Sequence, residues 1–168
     1  TRRDLLKLLA CLEPNESFRN RWQYQNIIYG TTGLVVEAVT GKTWEDFVQE
    51  RILNPLGMTS TDFSVTVSEQ SDNFCYPYLE HEDNILRIPF ANLDALGPAG
   101  SINSTLNDMC KWMALNLNRG KLGDTQIVSE ASMGQIHRPQ MVVLDDSPLS
   151  FKDTDSSETY GMAWGIYD

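Results

Sequence analysis

The chain has 168 residues, a length that suits one domain with its own core. Hydrophobic residues make up 41% and charged residues 21%, which excludes a largely disordered chain. The 13 basic and 23 acidic residues leave a net charge of −10, so the chain lacks the basic surface that nucleic acid or anionic lipid would need. No membrane span is expected, because the longest apolar stretch, 27–39, is short and interrupted by polar residues.

Two helices are predicted in the first part of the chain. The first covers 2–12, where leucines recur at helical spacing after Thr1 and Asp4, a pair typical of an N-terminal cap. The second covers 26–40, with residue 25 as an alternative start, and Gly41 stands where a glycine commonly closes a helix. Because the second helix is apolar on most sides, we expect it to be buried.

Three more helices and a hairpin are predicted further along. Capping residues and apolar spacing place the helices, and a polar turn between alternating segments places the hairpin. These elements are a helix from Thr43 that ends at 54–57, a hairpin over 74–89 with its turn at 81–84, a turn at 97–100, and helices over 105–117 and 129–137. The apolar positions of the 105–117 helix, expected to face the core, are Leu106, Met109, Cys110, Met113 and Leu117.

The end of the chain contains an acidic segment and a predicted strand. Residues 144–159 are polar, and we expect an insertion or loop at the surface. Their carboxylates do not follow the spacing of a calcium-binding loop, so no metal and no cofactor are predicted. Residues 160–167 are rich in aromatic residues and glycine, and they predict one strand whose partner lies elsewhere.

Cysteine usage gives no sign of a disulfide framework or a zinc site. There are three cysteines, and no two are close in sequence. Cys11 and Cys110 each fall on an apolar helix face, where we expect them to be buried as small hydrophobic residues.

The candidate chemistry lies at Tyr24-Gln25-Asn26. A tyrosine can serve as a general base where nearby cations lower its pKa from about 10. An asparagine two residues later can donate to a substrate carbonyl, and in an extended segment both side chains point the same way. The alternative is a core tyrosine followed by an asparagine that caps the next helix.

Aromatic and basic residues around this motif have simpler interpretations. The four tryptophans are expected in the core, although Trp22, two residues before Tyr24, could instead line a cleft. Arg19 and Arg21 could help to lower the pKa of the tyrosine, but solvent exposure is the favoured interpretation for both.

The residues from Tyr24 to Met58 resemble the serine β-lactamase family, in particular its class C branch with the related DD-peptidases and esterases. The resemblance rests on a Tyr-x-Asn motif, a helix that ends in Thr-Gly, and a Pro-Leu-Gly-Met run. Two later segments are similar to the family's Ala-Gly-Gly segment with its following helix and to its Tyr-Gly-x-Gly-Trp strand. The matching positions are Tyr24–Gly33, Glu37, Thr40, Gly41, Phe47, Ile52, Pro55–Met58, Pro98–Gly100, Ser104, Thr105, Asp108, Trp112, Gly120 and Tyr160–Gly165.

This resemblance implies an α+β fold, of which residues 1–168 form the mostly helical central part, with strands of an incomplete antiparallel sheet. It implies a serine hydrolase that transfers the acyl group of an amide or ester, such as a β-lactam, a D-amino-acid peptide or a simple ester. Tyr24 would be the general base, and Asn26 would hydrogen-bond the substrate amide or the lysine of the family's Ser-x-x-Lys motif. It also implies a location outside the cytoplasm, and it leaves the oligomeric state open.

Two of the family's motifs do not occur in this chain. No serine is followed by lysine three residues later, and neither Lys-Thr-Gly on a strand nor His-x-Gly occurs. In family order these motifs flank the matched region, so we expect the nucleophile outside this chain and no activity from the chain alone. Gln25 replaces a common serine, and Ser101 stands where a second glycine is usual.

Two other functions stay open at this stage. A non-catalytic β-lactamase-like protein could keep the fold for binding alone, and only the flanking sequence would distinguish it. A free-standing helical interaction domain is disfavoured, because the predicted terminal strand has no partner and the chain lacks an initiator methionine.

Overall fold

A computed structural model describes residues 1–143 and 158–167, which form helices and small antiparallel sheets, an α+β fold. The chain divides into two compact units, each described by itself below. The first unit comprises 1–11 and 26–111, and the second comprises 12–25 and the chain from 112 onward. The sequence-based prediction that residues 1–168 are part of one β-lactamase-like domain stays a prediction.

The first unit is built mainly of helices. Its elements, in chain order, are α1 (Arg2–Leu9), α2 (Asn26–Thr40), α3 (Trp44–Val48), a π-helical turn (Gln49–Leu53), α4 (Asn54–Leu56), α5 (Val65–Ser68), β1 (Tyr78–His81), β2 (Asn84–Arg87), a 3₁₀ turn (Asp94–Leu96), α6 (Gly97–Gly100) and the start of α7 (Leu106–Leu117). Most helices begin where the sequence predicts, and the segment predicted as a turn at Gly97–Gly100 is a short helix.

Local capping defines the helix ends in this unit. Thr1 and Asp4 form a capping box at the start of α1, which ends at Leu9, three residues earlier than predicted. Gly41 and Gly57 adopt φ of +71° and +64°, the left-handed conformation that a glycine accepts without strain. The chain from α3 therefore stays helical through Pro55 and stops at Gly57.

The prediction that α2 is buried is wrong for most of its side chains. Only Gly30 and Gly33 are buried. A Cβ on Gly33 would lie 2.6 Å from Cγ of Pro98 in α6, so the helix makes its closest contact through small residues. The apolar residues on its other sides are not covered within the described chain, and Val39 is 80% exposed.

Arg2 joins three helices of the first unit. Its guanidinium, only 11% exposed, pairs with Glu37 of α2 at 2.9 Å and Glu45 of α3 at 2.5 Å. It also lies 5.8 Å from the ring of Trp44, a favourable cation–π distance. Because both carboxylates share one buried cation, α1 is held against α2 and α3.

The predicted hairpin is confirmed, with a tighter turn. β1 and β2 pair antiparallel, with Tyr78 opposite Arg87 and His81 opposite Asn84. Only Glu82 and Asp83 connect them, with φ of +48° and +62°. Positive φ at both central residues is the pattern of a type I′ turn, whose twist matches that of the strands.

Over its described residues, the second unit contains the rest of α7, one short helix and two small sheets. Its elements are β3 (Lys121–Leu122), β4 (Thr125–Gln126), α8 (Glu130–Ile136), β5 (Met141–Val142), β6 (Glu158–Tyr160) and β7 (Gly165–Tyr167). β3 pairs with β4, and β6 is the central strand between β5 and β7. The predicted cap of α8 is confirmed, since the Ser129 side chain accepts from the backbone of Ser132.

The prediction of one unpaired terminal strand over 160–167 is wrong. The segment is part of an antiparallel hairpin, in which Tyr160 pairs with Gly165 and Glu158 with Tyr167. Ala163 in the connecting turn has φ of +64°, and the N–H of Gly161 donates to Trp164 at 2.8 Å. The turn was missed because this run of aromatic and small residues contains no proline and no Asn-Gly pair, the residues that usually indicate a turn.

The predicted core face of α7 is also wrong. Leu106 and Leu117 are each 80% exposed, whereas Asp108 and Leu115 are buried. Residues 108, 111 and 115 are at helical spacing and form the inner face of α7. The carboxylate of Asp108 can lie on this face because it accepts buried hydrogen bonds.

Cysteine burial is corrected in the same way. All three cysteines are exposed, because Cys110 lies on the uncovered face of α7 and Cys11 lies beyond the end of α1. Of the acidic segment at 144–159, residues 144–157 lie outside the described residues, and the last two belong to β6.

Candidate functional site

Tyr24 lies in the irregular segment 12–25 of the second unit. Its side chain is 51% exposed, so the ring is not enclosed by aliphatic residues. The interpretation as a core tyrosine therefore does not hold within the described chain. A half-exposed phenol can exchange protons with a bound molecule, which the general-base hypothesis requires.

Trp22 lies between Tyr24 and the three-stranded sheet. The ring centroids of Trp22 and Tyr24 are 6.3 Å apart with planes inclined at 50°, and those of Trp22 and Tyr160 are 5.3 Å apart at 56°. Both separations are typical of favourable aromatic pairs. The loop that carries the candidate base is thus in contact with a strand residue.

Asn26 is the first residue of α2 and belongs to the first unit. Its side chain is exposed, as is that of Gln25 before it. Since the helix begins at Asn26, the position that precedes the first helical residue is Gln25, not Asn26. Tyr24 and Asn26 are only two residues apart in sequence, but Tyr24 belongs to the second unit and Asn26 to the first.

The arginines before the motif are exposed, in agreement with the favoured interpretation. The Arg19 guanidinium lies 5.7 Å from the ring of Phe18, which is itself 92% exposed. Among the tryptophans, Trp44 is in the core and the other three are half-buried. Trp164 meets the ring of His137 edge-on, with centroids 4.7 Å apart.

Asp108 is a buried carboxylate of the first unit with three hydrogen-bond donors. It is 2% exposed and accepts from the Ser60 N–H at 2.7 Å, the Thr61 hydroxyl at 2.9 Å and the Lys111 ammonium at 2.8 Å. Burial pushes the pKa of this carboxyl upward, but the hydrogen bonds from Lys111, Ser60 and Thr61 outweigh burial and hold it below the ordinary value. The carboxylate therefore fastens the loop after Gly57 to α7.

A wide cleft of about 940 Å³ opens beside this carboxylate. Hydroxyl and amide side chains line much of it, together with two phenylalanines, Phe74 and Phe90. Asn26, which belongs to the same unit, is not among the lining residues.

Two negative findings concern the described residues only. Over 1–143 and 158–167, no group of three or more histidine, cysteine or acidic side chains is placed to hold a metal ion. Within the same part of the chain, no helix is both long and apolar enough to cross a bilayer.

The helices and small antiparallel sheets of the described chain form an α+β fold like that of β-lactamases and penicillin-binding proteins. Residues 1–167 match the profile of the family described as Beta-lactamase, so the chain belongs to that family, within the serine β-lactamase and DD-peptidase superfamily.

Three known proteins illustrate the relationship. The chain is 25% identical over 165 residues to unguisins hydrolase ungD' of Aspergillus campestris, covering 96% of this chain and 29% of that protein. It is 25% identical to penicillin-binding protein 4 of Amycolatopsis lactamdurans, covering 83% of this chain and 36% of that one. It shares the fold of a D-stereospecific amidohydrolase from Streptomyces sp., with a TM-score of 0.73, 19% identity, and coverage of 98% of this chain and 45% of that one. The chain spans about a third of the length of these curated relatives.

Two features of the site were not predicted from the sequence. The contact of Trp22 with Tyr160 joins residues far apart in the chain, and two of the three donors to Asp108 come from a loop some fifty residues earlier. For the Trp22–Tyr160 contact, the sequence offered two signals: Tyr160 lies in a segment similar to the family's strand, and Trp22 is close to Tyr24 in sequence. For Asp108, the sequence offered only the spacing of a helix cap with Thr105, which does not indicate burial.

Proposed function

We propose that this chain is part of a serine hydrolase that transfers an acyl group from an amide or ester to a serine and then to water. Family membership and the fold support this proposal. The observation that carries it is the half-exposed Tyr24 in the Tyr-x-Asn motif. The names of the relatives include an unguisins hydrolase, a penicillin-binding protein and an amidohydrolase, and the last of these favours an amide substrate.

In the proposed reaction the serine oxygen attacks the substrate carbonyl and its proton passes to the Tyr24 phenolate. The tetrahedral intermediate collapses, the carbon–nitrogen or carbon–oxygen bond breaks, and Tyr24 returns the proton to the leaving amine or alcohol. Water then attacks the acyl-serine and releases the acid. The amide group of Asn26 would donate to the substrate carbonyl or hold the lysine of the serine motif.

The proposed nucleophile lies outside these 168 residues. None of the serines here is followed by a lysine at the third position, so the chain holds no Ser-x-x-Lys pair. We therefore expect the 168-residue chain on its own to give no turnover of a chromogenic cephalosporin or a nitrophenyl ester. Turnover that an active-site titrant abolishes stoichiometrically would contradict the placement of the nucleophile.

Replacement of Tyr24 by phenylalanine in the full-length protein tests the role of the hydroxyl. Tyr24→Phe keeps the ring and its contact with Trp22 while it removes the base. We expect the acylation rate to fall by about 10²- to 10⁴-fold. The free energy of unfolding should change by about 1 kcal/mol or less, because at most one hydrogen bond of a half-exposed hydroxyl is lost.

Tyr29→Phe is the matched control, because Tyr29 is 42% exposed, lies nearby in sequence and belongs to α2. Its acylation rate should stay at the parent level. A parent-level rate in Tyr24→Phe would remove the base role from Tyr24. Ligand binding without any turnover in the unmodified full-length protein would favour a non-catalytic binding relative instead.

A further inference from the structure

We propose that Trp22 is a positioning residue that anchors the Tyr24 loop to the three-stranded sheet through Tyr160. The anchoring is a property of the second unit alone. Its catalytic consequence rests on the proposed function, in which Tyr24 is the base.

Burial singles out Trp22 in its loop. Between Ala10 and Asn26 every residue is exposed except Trp22, which is half-buried. A segment without regular structure has few packed contacts of its own, so one packed side chain determines much of its position. Trp22 is therefore the anchor of a loop that is otherwise on the surface.

The ring of Trp22 contacts two tyrosines, one in the sheet and one in the loop. The centroid of the Trp22 ring lies 5.3 Å from that of Tyr160 and 6.3 Å from that of Tyr24. Such tilted pairs contribute specific geometry in addition to buried area. The position of the Tyr24 ring thus depends on the indole, and the position of the indole depends on Tyr160.

Tyr160 is held firmly at the far end of this chain of contacts. It lies in β6, the central strand of its sheet, opposite Met141 of β5 and Gly165 of β7. Its carbonyl accepts from the Gln140 N–H at 2.9 Å. A residue paired on both sides is a rigid support, in contrast to the exposed loop that it contacts.

A general base acts only within hydrogen-bond reach of the proton that it removes. Displacement of a catalytic group by about 1 Å can lower the rate on the order of 10²-fold. Loss of the indole should therefore reduce kcat through the position of Tyr24, even though Trp22 itself touches no reacting atom. An aromatic replacement should preserve much of the effect.

The test uses the full-length protein with 3-fluorotyrosine incorporated, observed by fluorine NMR. The Tyr24 signal is assigned by its loss in Tyr24→Phe. In Trp22→Ala we expect this signal to narrow and move toward that of free fluorotyrosine, with a fall in kcat of about 10- to 100-fold. In Trp22→Phe both the signal and kcat should stay close to the parent values.

Trp164→Ala is the matched control. Trp164 is also half-buried in the second unit, but its ring contacts His137 rather than Trp22. The Tyr24 signal should be unchanged in this variant. Tyr160→Val provides a second route if Trp22→Ala does not fold, since valine suits a strand and lacks the supporting ring.

The outcomes separate this inference from the proposed function. A Tyr24 signal unchanged in Tyr160→Val, or in a folded Trp22→Ala, overturns the anchoring. A signal that shifts in Trp22→Ala while Tyr24→Phe retains full activity supports the anchoring contact and overturns the role of Tyr24 as the base. A shift together with the fall in kcat and its rescue by phenylalanine supports both.

Discussion

Asp4 and Asp108 occupy nearly the same local sequence but very different surroundings. Each is the third residue of its helix, follows a capping threonine, and pairs with a lysine three residues later. The Asp4 side chain is 58% exposed, whereas that of Asp108 is 3% exposed. The two sites thus separate the effect of burial from the effect of local sequence.

We expect Asp108→Asn to destabilise the protein strongly. The amide loses the charge that three donors share, and its own N–H groups face donors in a buried site. Hydrogen bonds to charged groups contribute about 1.5–3 kcal/mol, and the free energy of unfolding should fall by about that much. Urea unfolding measures the change, with Asp4→Asn as the control that should alter stability far less. Equal losses in the two variants would contradict a special role for burial.

The same carboxylate predicts an acid-sensitive stability. Because folding lowers the pKa of Asp108 from its ordinary value of 3.8, its contribution is complete above that pH and is lost as the pH falls through the folded pKa. The Thr1 hydroxyl, the chain amino group and Lys7 lower the pKa of Asp4 to about 2, so the sign there is the same. Urea midpoints measured from pH 7 to 2.5 should fall more gently below pH 4 in Asp108→Asn than in the parent. Parallel profiles would exclude Asp108 as a source of the acid sensitivity.

At the level of helices, two glycines predict opposite effects of the same substitution. A Cβ on Gly33 of α2 would meet Pro98 at 2.6 Å, whereas one on Gly134 of α8 would meet nothing within 4 Å. Gly33→Ala should therefore lower the free energy of unfolding by about 1–3 kcal/mol through overpacking. Gly134→Ala should raise it by about 0.5–1 kcal/mol through the lower entropy of the unfolded chain. Thermal unfolding of both variants checks the signs, and stabilisation by Gly33→Ala would contradict the close α2–α6 contact.

Helix ends were largely predictable from the sequence, and buried faces were not. The caps at Thr1, Thr43, Thr105 and Ser129 depend on atoms within one turn of helix, so residue type and spacing suffice to find them. The face of α7 depends on donors at Ser60 and Thr61, which no local pattern contains. Residue spacing therefore predicts that the apolar side chains of α7 face the core, whereas the structure buries Asp108 with its hydrogen-bond donors.

The candidate site was predictable only in part, for the same reason. The Tyr-x-Asn motif is contiguous in the sequence and could be found from it, together with the resemblance to the family. The contact of Trp22 with Tyr160 is visible only when β6 is paired with β5 and β7. The roles of Tyr24 and Asn26 stay predictions.

At the scale of the whole chain, several large apolar side chains are uncovered. Val39 of α2 and both Leu106 and Leu117 of α7 are each 80% exposed. Large exposed apolar side chains promote association when many are present. We expect the 168-residue chain on its own to bind the dye ANS and to associate as its concentration rises, measured by fluorescence and light scattering. Leu106→Gln with Leu117→Gln should weaken both signals, and a monomer without dye binding would contradict this expectation.

The contact between Trp22 and Tyr160 also has a consequence for biosynthesis. A ribosome adds Tyr160 roughly 140 residues after Trp22, which takes about 7–28 s at about 5–20 residues per second. During that interval the helices α1 and α2 on either side of the loop can form, since their hydrogen bonds are local. The loop between them has no sheet to dock on until Tyr160 has been made. The candidate base therefore stays on an unanchored loop throughout that interval, and that loop is fixed among the last parts of the second unit.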